Sequence, residues 1–258
     1  MLILQRTMME EQTQKKEWFD EWFNTIYYHI LYKNRSYEEA GKFLDKLIHY
    51  FEMPKDAKIL DLACGKGRHS IYLNNRGFDV TGVDLSEQNI AFARQKANDS
   101  LHFHIHDMRE VFQPATFDYV FNLFTSFGYF DSKEENLDVI RATCESLKPG
   151  GKLLIDFLNP YVVINQLVSE EDKTIDNIHF KITREHTKDD YIVKNIEVDD
   201  HGQHFEYMEK VKAIRRTDFL NYFDQIGLKL LDIFGDYQLN PYINDQSERL
   251  IFVIQKPA

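Results

Sequence analysis

From Lys16 to Leu31 the apolar residues Trp18, Trp22, Ile26 and Ile30 recur every four positions, with Phe19 and Phe23 beside them. That spacing predicts one amphipathic helix. Ser36-Tyr37-Glu38-Glu39 then reads as a capping box, opening a second helix to about Phe51 with Phe43, Leu44, Leu47 and Ile48 on its inner face. After Pro54 the texture changes to short apolar runs alternating with amphipathic ones. Strands are predicted at Lys58 to Leu62, Asp79 to Val83, Leu101 to Ile105, Phe117 to Leu123 and Lys152 to Phe157. Between them lie a helix through Ile71 and Leu73 that stops near Gly77, and one capped by Ser86 that reaches about Ala97. A third opens at a second capping box, Ser132-Lys133-Glu134-Glu135, and ends at Pro149-Gly150-Gly151. Leu137, Ile140, Cys144 and Leu147 share one of its faces.

This alternation predicts a parallel sheet with helices on both faces. Right-handed crossovers then leave the carboxyl ends of the strands on one edge, where such sheets bind ligands at the point of strand-order reversal. From about Thr174 to Ile214 the helical period disappears. Ile178 to Ile182, Tyr191 to Val193 and Phe205 to Val211 read as antiparallel hairpins, separated by Asp189-Asp190 and Asp200-His201-Gly202. Thr217 is expected to cap a last helix carrying Phe219, Leu220, Phe223 and Ile226, closed by Gly227. Leu228 to Phe234 and Arg249 to Ile254 supply two final strands. The expected fold is α/β: a doubly wound, mostly parallel seven-stranded sheet with a small antiparallel β lid inserted after strand five. Its expected division is an N-terminal helical cap (1–54), a cofactor-binding core (55–158), the inserted substrate lid (159–216) and a segment completing the core sheet (217–258).

Composition sharpens the functional class. Hydrophobic residues make up 43% of the 258, with 20 Phe and 14 Tyr, so a large core can be buried. The net charge of −11, from 31 basic and 42 acidic residues, disfavours a nucleic-acid partner, whose phosphates would need a basic face. Cys64 and Cys144 are the only cysteines, so no disulfide framework and no zinc site are expected. The apolar start from Met1 to Leu4 is too short for a secretory segment, and no run is long enough to span a bilayer. A cytoplasmic protein without a membrane partner is the expectation. Nothing in the pattern points to an oligomeric state.

The strongest chemical signal is Asp61-Leu62-Ala63-Cys64-Gly65-Lys66-Gly67, at a strand-to-helix turn. Bare backbone at Gly65 and Gly67 allows close approach of a ligand, and the helix behind offers unpaired N–H groups. Asp84 ends the second strand, where a carboxylate can accept both hydroxyls of a ribose. Asp107 ends the third, placed to accept from an adenine amino group, with Met108 against the ring. A turn or cap would explain each acidic residue alone; three at three successive strand ends point to an adenosyl ligand. A nicotinamide fingerprint would place glycine where Ser70 stands, and Asp61 would repel a pyrophosphate. Beside the zwitterionic methionine end of S-adenosylmethionine, a carboxylate is useful. A nicotinamide oxidoreductase and a non-catalytic cofactor-binding protein remain the alternatives at this point.

Over residues 55–158 the chain resembles the class I S-adenosylmethionine-dependent methyltransferases. The resemblance rests on Ile59 to Gly67, Val83-Asp84-Leu85-Ser86, His106-Asp107-Met108 and Leu147-Lys148-Pro149-Gly150-Gly151, with the last two strands matching that fold's closing pair. It implies a methionine moiety wrapped by Asp61, Ala63, Gly65 and Gly67, a ribose on Asp84 beside Leu85, and an adenine on Asp107 and Met108. Tyr27-Tyr28-His29-Ile30-Leu31-Tyr32 followed by Arg35 is similar to the N-terminal segment of small-molecule amine methyltransferases, which implies that Tyr28, Tyr32 and Arg35 reach the donor carboxylate; a rim or core role is the alternative. The loop from Asn122 to Phe130 would face the transferable methyl group. It lacks the [DN]-P-P-[FYW] motif of amino methyltransferases acting on DNA, while Asn159-Pro160-Tyr161 and Asn240-Pro241-Tyr242 read as turns. A small-molecule methyl acceptor, with N-methylation favoured because a neutral amine needs little base help, is therefore expected; RNA or protein acceptors are runners-up.

No catalytic residue is marked. His102, His104 and His106 share a face, expected to be buried in the sheet, and carry no metal assignment. His69 is expected to orient the glycine turn, and Cys64 to be a packing residue. Phe180, Tyr191, Phe205 and Tyr207 either line the acceptor pocket or pack the lid itself.

Overall fold

The computed structural model describes residues 18–33 and 37–258. Ser36 and Arg35 lie outside them, so the first expected cap and the arginine expected at the donor carboxylate are not described. The expected N-terminal helix is two: α1 (Trp18–Trp22) and α2 (Ile26–Leu31). Thr25 breaks the run, because its hydroxyl accepts the Tyr28 N–H and caps α2. α3 (Tyr37–Tyr50) follows.

The core alternates β1 (Lys58–Leu62), α4 (Arg68–Asn75), β2 (Asp79–Asp84), α5 (Glu87–Ala93), β3 (Leu101–Ile105), β4 (Phe117–Asn122), α6 (Lys133–Ser146) and β5 (Leu147–Leu158). Ser86 caps α5 through the Asn89 N–H, and the Ser132–Glu135 capping box opens α6. α5 is shorter than expected, its last turn tightening to 3-10 geometry over Arg94–Lys96. β5 starts at Leu147, so Pro149-Gly150-Gly151 is a shifted beginning of the strand rather than a loop before it.

After β5 come a short α7 (Pro160–Asn165), then β6 (Glu170–Ile175), β7 (Ile178–His186), β8 (Tyr191–Asp200) and β9 (Gln203–Lys212). Asn159-Pro160-Tyr161 is thus a helix start, with Asn159 as cap and Pro160 in the first turn, and not a turn. α8 (Arg216–Ile226), β10 (Lys229–Phe234) and β11 (Arg249–Gln255) complete the chain. Arg215, not Thr217, sits at the α8 N-cap, and the Asp218 carboxylate accepts its N–H at 2.9 Å.

The seven-stranded sheet has the order β10-β11-β5-β4-β1-β2-β3, parallel except for the two pairings of β11, which are antiparallel. This is the expected α/β fold. β5 and β11 are apolar on both faces, as strands covered from both sides must be. One face packs Leu60, Val120 and Ile155 against Ile140 of α6 and Phe219 and Phe223 of α8. The other packs Ile59, Val80 and Phe121 against Phe43, Leu47, Leu73 and Ile90 from α3, α4 and α5. Strand order reverses between β1 and β4, which places the ligand edge beyond Leu62, Asp84 and Asn122.

β6 to β9 form a separate antiparallel sheet. Its apolar face, with Ile178, Phe180, Ile182, Ile196 and Val198, is covered by Trp22, Tyr27 and Leu31 of the N-terminal helices. Phe205 and Tyr207 pack on Tyr27 and Trp22, so these aromatics build the sheet's own core. β3 is an edge strand, and His102 and His104 on it are exposed rather than buried. Among the described residues no helix is long and apolar enough to cross a membrane.

Candidate active site

A cavity of about 840 Å³ opens at the carboxyl ends of β1, β2 and β4. That size suits a ligand larger than a single nucleoside, since pockets for drug-sized ligands run from ~300 to ~1,000 Å³. Ala63, Gly65, Asp84, Leu85, Asp107 and Met108 all lie on its wall, as do Tyr28 and Tyr32. The predicted acidic pair therefore faces one cavity.

The glycine turn is shaped by backbone sterics. Ala63, Gly65 and Gly67 have φ of 60°, 56° and 79°. At Gly67 an added Cβ would also lie 2.7 Å from the Phe103 ring. We expect Gly67→Ala to lower stability by about 2–4 kcal/mol, from left-handed strain and crowding together, read as a lower urea midpoint at unchanged slope. The Asp84 carboxylate ties this turn to β2: Oδ2 accepts the Gly65 N–H at 2.8 Å and Oδ1 the Ser86 N–H at 2.9 Å. Burial pushes its pKa up, and those two N–H groups hold it back.

Asp61 is 1% exposed and lies behind the cavity wall, accepting from the Ser70 hydroxyl at 2.5 Å. Burial raises its carboxyl to about 7. The folded state thus holds this proton more tightly than the unfolded chain, whose carboxyl titrates near ~4. Its stability contribution is complete below that value and is lost as pH climbs through about 7. Asp61→Asn should flatten the fall of the urea midpoint between pH 5 and pH 8; an unchanged profile would exclude this assignment.

Asp107 is engaged by Arg109, whose Nη2 donates to it at 2.6 Å while Nη1 reaches Glu135 at 2.8 Å. Burial would raise the Asp107 carboxyl, but the guanidinium outweighs it and leaves the group below its usual value. Asn122 does not reach the cavity wall. It is 1% exposed, and its amide donates to the Leu62 and Ser126 carbonyls at 3.2 Å each, fastening β1 to the loop after β4. His69 faces the cavity beside the glycine turn, stacked on Phe124 at 5.1 Å with its Nε2 3.0 Å from Arg68. Burial and Arg68 hold it down to about 3, so it is neutral and a weak base. Burial likewise raises the Cys64 thiol well above its usual value.

Tyr129 and Phe130, from the loop expected to face the reaction centre, lie on the cavity wall. Other wall residues carried no signal for the site in the sequence: Trp18, Phe19 and Phe23 from α1 and its following turn face the cavity as well. From the second sheet come Lys194 and Glu209, cross-strand partners at 3.0 Å. Glu209 also accepts from Trp22 Nε1 at 2.7 Å and the Tyr32 hydroxyl at 2.7 Å, which clasps both N-terminal helices to that sheet. Burial alone would raise Glu209; Lys194, Tyr32 and Trp22 together pull it below its usual value, so it is a carboxylate. Arg249 and Tyr237 close the far side.

Residues 59–151 match the family model described as "Methyltransferase domain". The chain is 36% identical to YqeM of Bacillus subtilis (strain 168) over 132 residues, 50% of this chain and 51% of that one. It is 32% identical over 103 residues to the dTDP-3-amino-3,4,6-trideoxy-alpha-D-glucopyranose N,N-dimethyltransferase of Streptomyces venezuelae, 40% of this chain and 43% of that one. These matched segments thus span about half the length of each relative or less. A solved S-adenosylmethionine-dependent methyltransferase from Clostridium acetobutylicum ATCC 824 superposes with a TM-score of 0.77 at 19% identity, covering 90% of this chain and 97% of that one. Residues 59–151 are a methyltransferase domain, and the chain has the fold of the solved S-adenosylmethionine-dependent methyltransferases. S-adenosylmethionine is its cofactor, and the nicotinamide alternative falls. The methyltransferase edge has the features such a donor needs: a glycine turn open at Gly65, where an added Cβ would meet nothing within 4 Å, and a carboxylate on each of the two neighbouring strand ends.

Proposed function

We propose that this protein transfers the methyl group of S-adenosylmethionine to a small-molecule amine. The observation carrying this reading is the single cavity that joins the glycine turn, Asp84 and Asp107 to Lys194 and Glu209 of the second sheet. A donor seated on the first group leaves the remaining space, beneath the inserted sheet, to a small acceptor. S-adenosylmethionine, when bound, supplies a methyl group already activated as a sulfonium.

The chain's own task is then to hold, orient and dry the reactants. Asp84 accepts the ribose hydroxyls and Asp107 the adenine amino group, with Leu85 and Met108 against the base. Ala63, Gly65 and Gly67 form the turn along the methionine moiety, with Asp61 behind them. Tyr28 and Tyr32 bound that moiety from the N-terminal side. Trp18, Phe19 and Phe23 cover the cavity and exclude water. Such orientation alone can lower a barrier by roughly 7–11 kcal/mol. A neutral amine needs no strong base, and the neutral, weakly basic His69 beside the loop after β4 fits that requirement better than it fits deprotonation of a hydroxyl. The Streptomyces N,N-dimethyltransferase supports the choice of nitrogen. The inserted sheet (159–216) acts as the acceptor lid.

The test is incubation with methyl-labelled donor and a panel of small amines, alcohols and RNA. Label on amines is the expected result. Label on hydroxyls or RNA alone would replace the amine reading.

A further inference from the structure

The Asp107 carboxylate is gripped by one neighbour, Arg109. The Arg109 backbone N–H donates to Oδ1 at 2.9 Å, Nη2 donates to Oδ2 at 2.6 Å, and Nε is shared between the two oxygens at 3.1 Å each. An ionised carboxyl has about four acceptor sites. Those N–H groups occupy all but about one of them. Asp107 lies on the cavity wall, and Arg109 is not among the residues lining it. The remaining acceptor site is thus the part of this cluster that a ligand can meet.

Arg109 is itself anchored on its other side. Nη1 donates to Glu135 Oε1 at 2.8 Å, and Glu135 Oε2 accepts the Ser132 N–H at 3.1 Å in the box that opens α6. The guanidinium also lies 4.6 Å from the ring of Phe130, a cavity-wall residue. A planar fork held at both ends holds the plane of the carboxylate it grips, which a lysine in its place would not do. Burial works against ionisation of Asp107, and the guanidinium outweighs it. An ionised carboxylate can only accept, which suits an amino group and opposes a carbonyl.

We infer that Arg109 is a positioning residue that sets base specificity: by fixing the Asp107 carboxylate it aims the remaining acceptor site at the 6-position of the purine, selecting a 6-amino over a 6-oxo base. This rests on the placement of the adenine at Asp107 proposed above. Arg109 touches neither donor nor methyl acceptor. Without its fork the carboxylate is free to turn, and the base keeps its contacts with Leu85 and Met108 while its edge is read less sharply.

The test is calorimetric titration with S-adenosylhomocysteine and with S-inosylhomocysteine, its analogue with a carbonyl at the 6-position. The wild type should prefer the adenosyl compound by about a hundredfold or more, because a site built to accept an N–H meets a second acceptor in the analogue. In Arg109→Gln that preference should fall by about tenfold or more, through weaker binding of the adenosyl compound. Arg109→Lys keeps the charge and loses the fork; it should lower the preference too, and takes the place of Arg109→Gln if that variant does not fold. In Asp107→Asn the side-chain oxygen still accepts from Arg109 and the amide faces the base, so the preference should turn toward the inosyl compound. A purely structural Arg109 would weaken both ligands alike. An unchanged preference in the Arg109 variants, with Asp107→Asn shifting it, overturns the inference. A wild type that binds both ligands equally, or an unchanged preference in Asp107→Asn, would instead remove the adenine from Asp107, and the inference with it.

Discussion

Replacing Asp84 by alanine is expected to weaken S-adenosylhomocysteine binding by a hundredfold or more. The carboxylate spends one lone pair on each of the Gly65 and Ser86 N–H groups. An ionised carboxyl has about four acceptor sites, so two remain for the two hydroxyls of a ribose. Hydrogen bonds to a charged group contribute ~1.5–3 kcal/mol each, and two of them multiply to on the order of a hundredfold to a thousandfold or more in affinity. Alanine also frees the two N–H groups that shape the glycine turn, which adds to the loss. Asp84→Asn keeps one acceptor oxygen and the side-chain volume, so its effect should be smaller by about an order of magnitude. Calorimetric titration of both variants checks this, with circular dichroism to show that they remain folded. Affinity unchanged in Asp84→Ala would remove the ribose from this residue.

The alternating core was legible because each local cue agreed with its neighbours. Ser86 and Ser132 cap helices in the structure as their sequence context predicts, and the apolar runs at Lys58–Leu62 and Leu101–Ile105 are strands to the residue. Where cues were single they misled. Thr25 sits inside an unbroken four-residue period, and nothing but its own hydroxyl shows that the helix restarts there. β6 reads Glu170-Glu171-Asp172-Lys173-Thr174-Ile175 and has no apolar alternation; it is a strand because β7 offers it a backbone ladder and its side chains stay in water. The row of three histidines looked internal because the order of strands, which puts β3 at the edge, is a long-range property.

The same division runs through the site. Gly65, Asp84 and Asp107 lie at strand ends, so the β-α pattern alone predicts that they converge, and they do share one cavity. Asn122 has the right position on its strand, but its side chain is consumed in bridging Leu62 and Ser126. That choice depends on partners 60 residues away in one case and 4 in the other, and no spacing rule expresses it. Lys194, Glu209, Tyr237 and Arg249 escaped notice for a related reason. Each is an ordinary charged or aromatic residue in its own segment, and becomes part of a site only when the inserted sheet and the closing strand pair are brought over the strand edge.

The Asp156–Arg249 pair shows what such distant groups contribute, and Asp156→Ala should be the most damaging single change to the stability of this region. Asp156 Oδ2 accepts the Phe124 N–H at 2.9 Å and the Tyr237 hydroxyl at 3.1 Å, and its backbone carbonyl accepts the Thr125 N–H at 2.9 Å. Phe124 and Thr125 are held at φ of 57° and 62°, which costs a side-chain-bearing residue roughly 1–2 kcal/mol apiece. Removing the carboxylate leaves a mostly buried guanidinium without its counter-charge, which in other buried pairs costs about 3–5 kcal/mol. For a chain of this length that corresponds to a fall in melting temperature on the order of 10 °C. Asp156→Asn retains an acceptor for Phe124 and should fall between the variant and the wild type. If the pair were only structural, the surviving folded fraction of Asp156→Ala would turn over normally. Because Asp156 also fixes the loop after β4, which we propose faces the transferable methyl group, we expect kcat per folded molecule to drop by about tenfold or more while S-adenosylhomocysteine affinity, which the proposed cradle on β1, β2 and β3 would set, changes little. Equal losses in both quantities would show that the loop and the cofactor cradle are one mechanical unit.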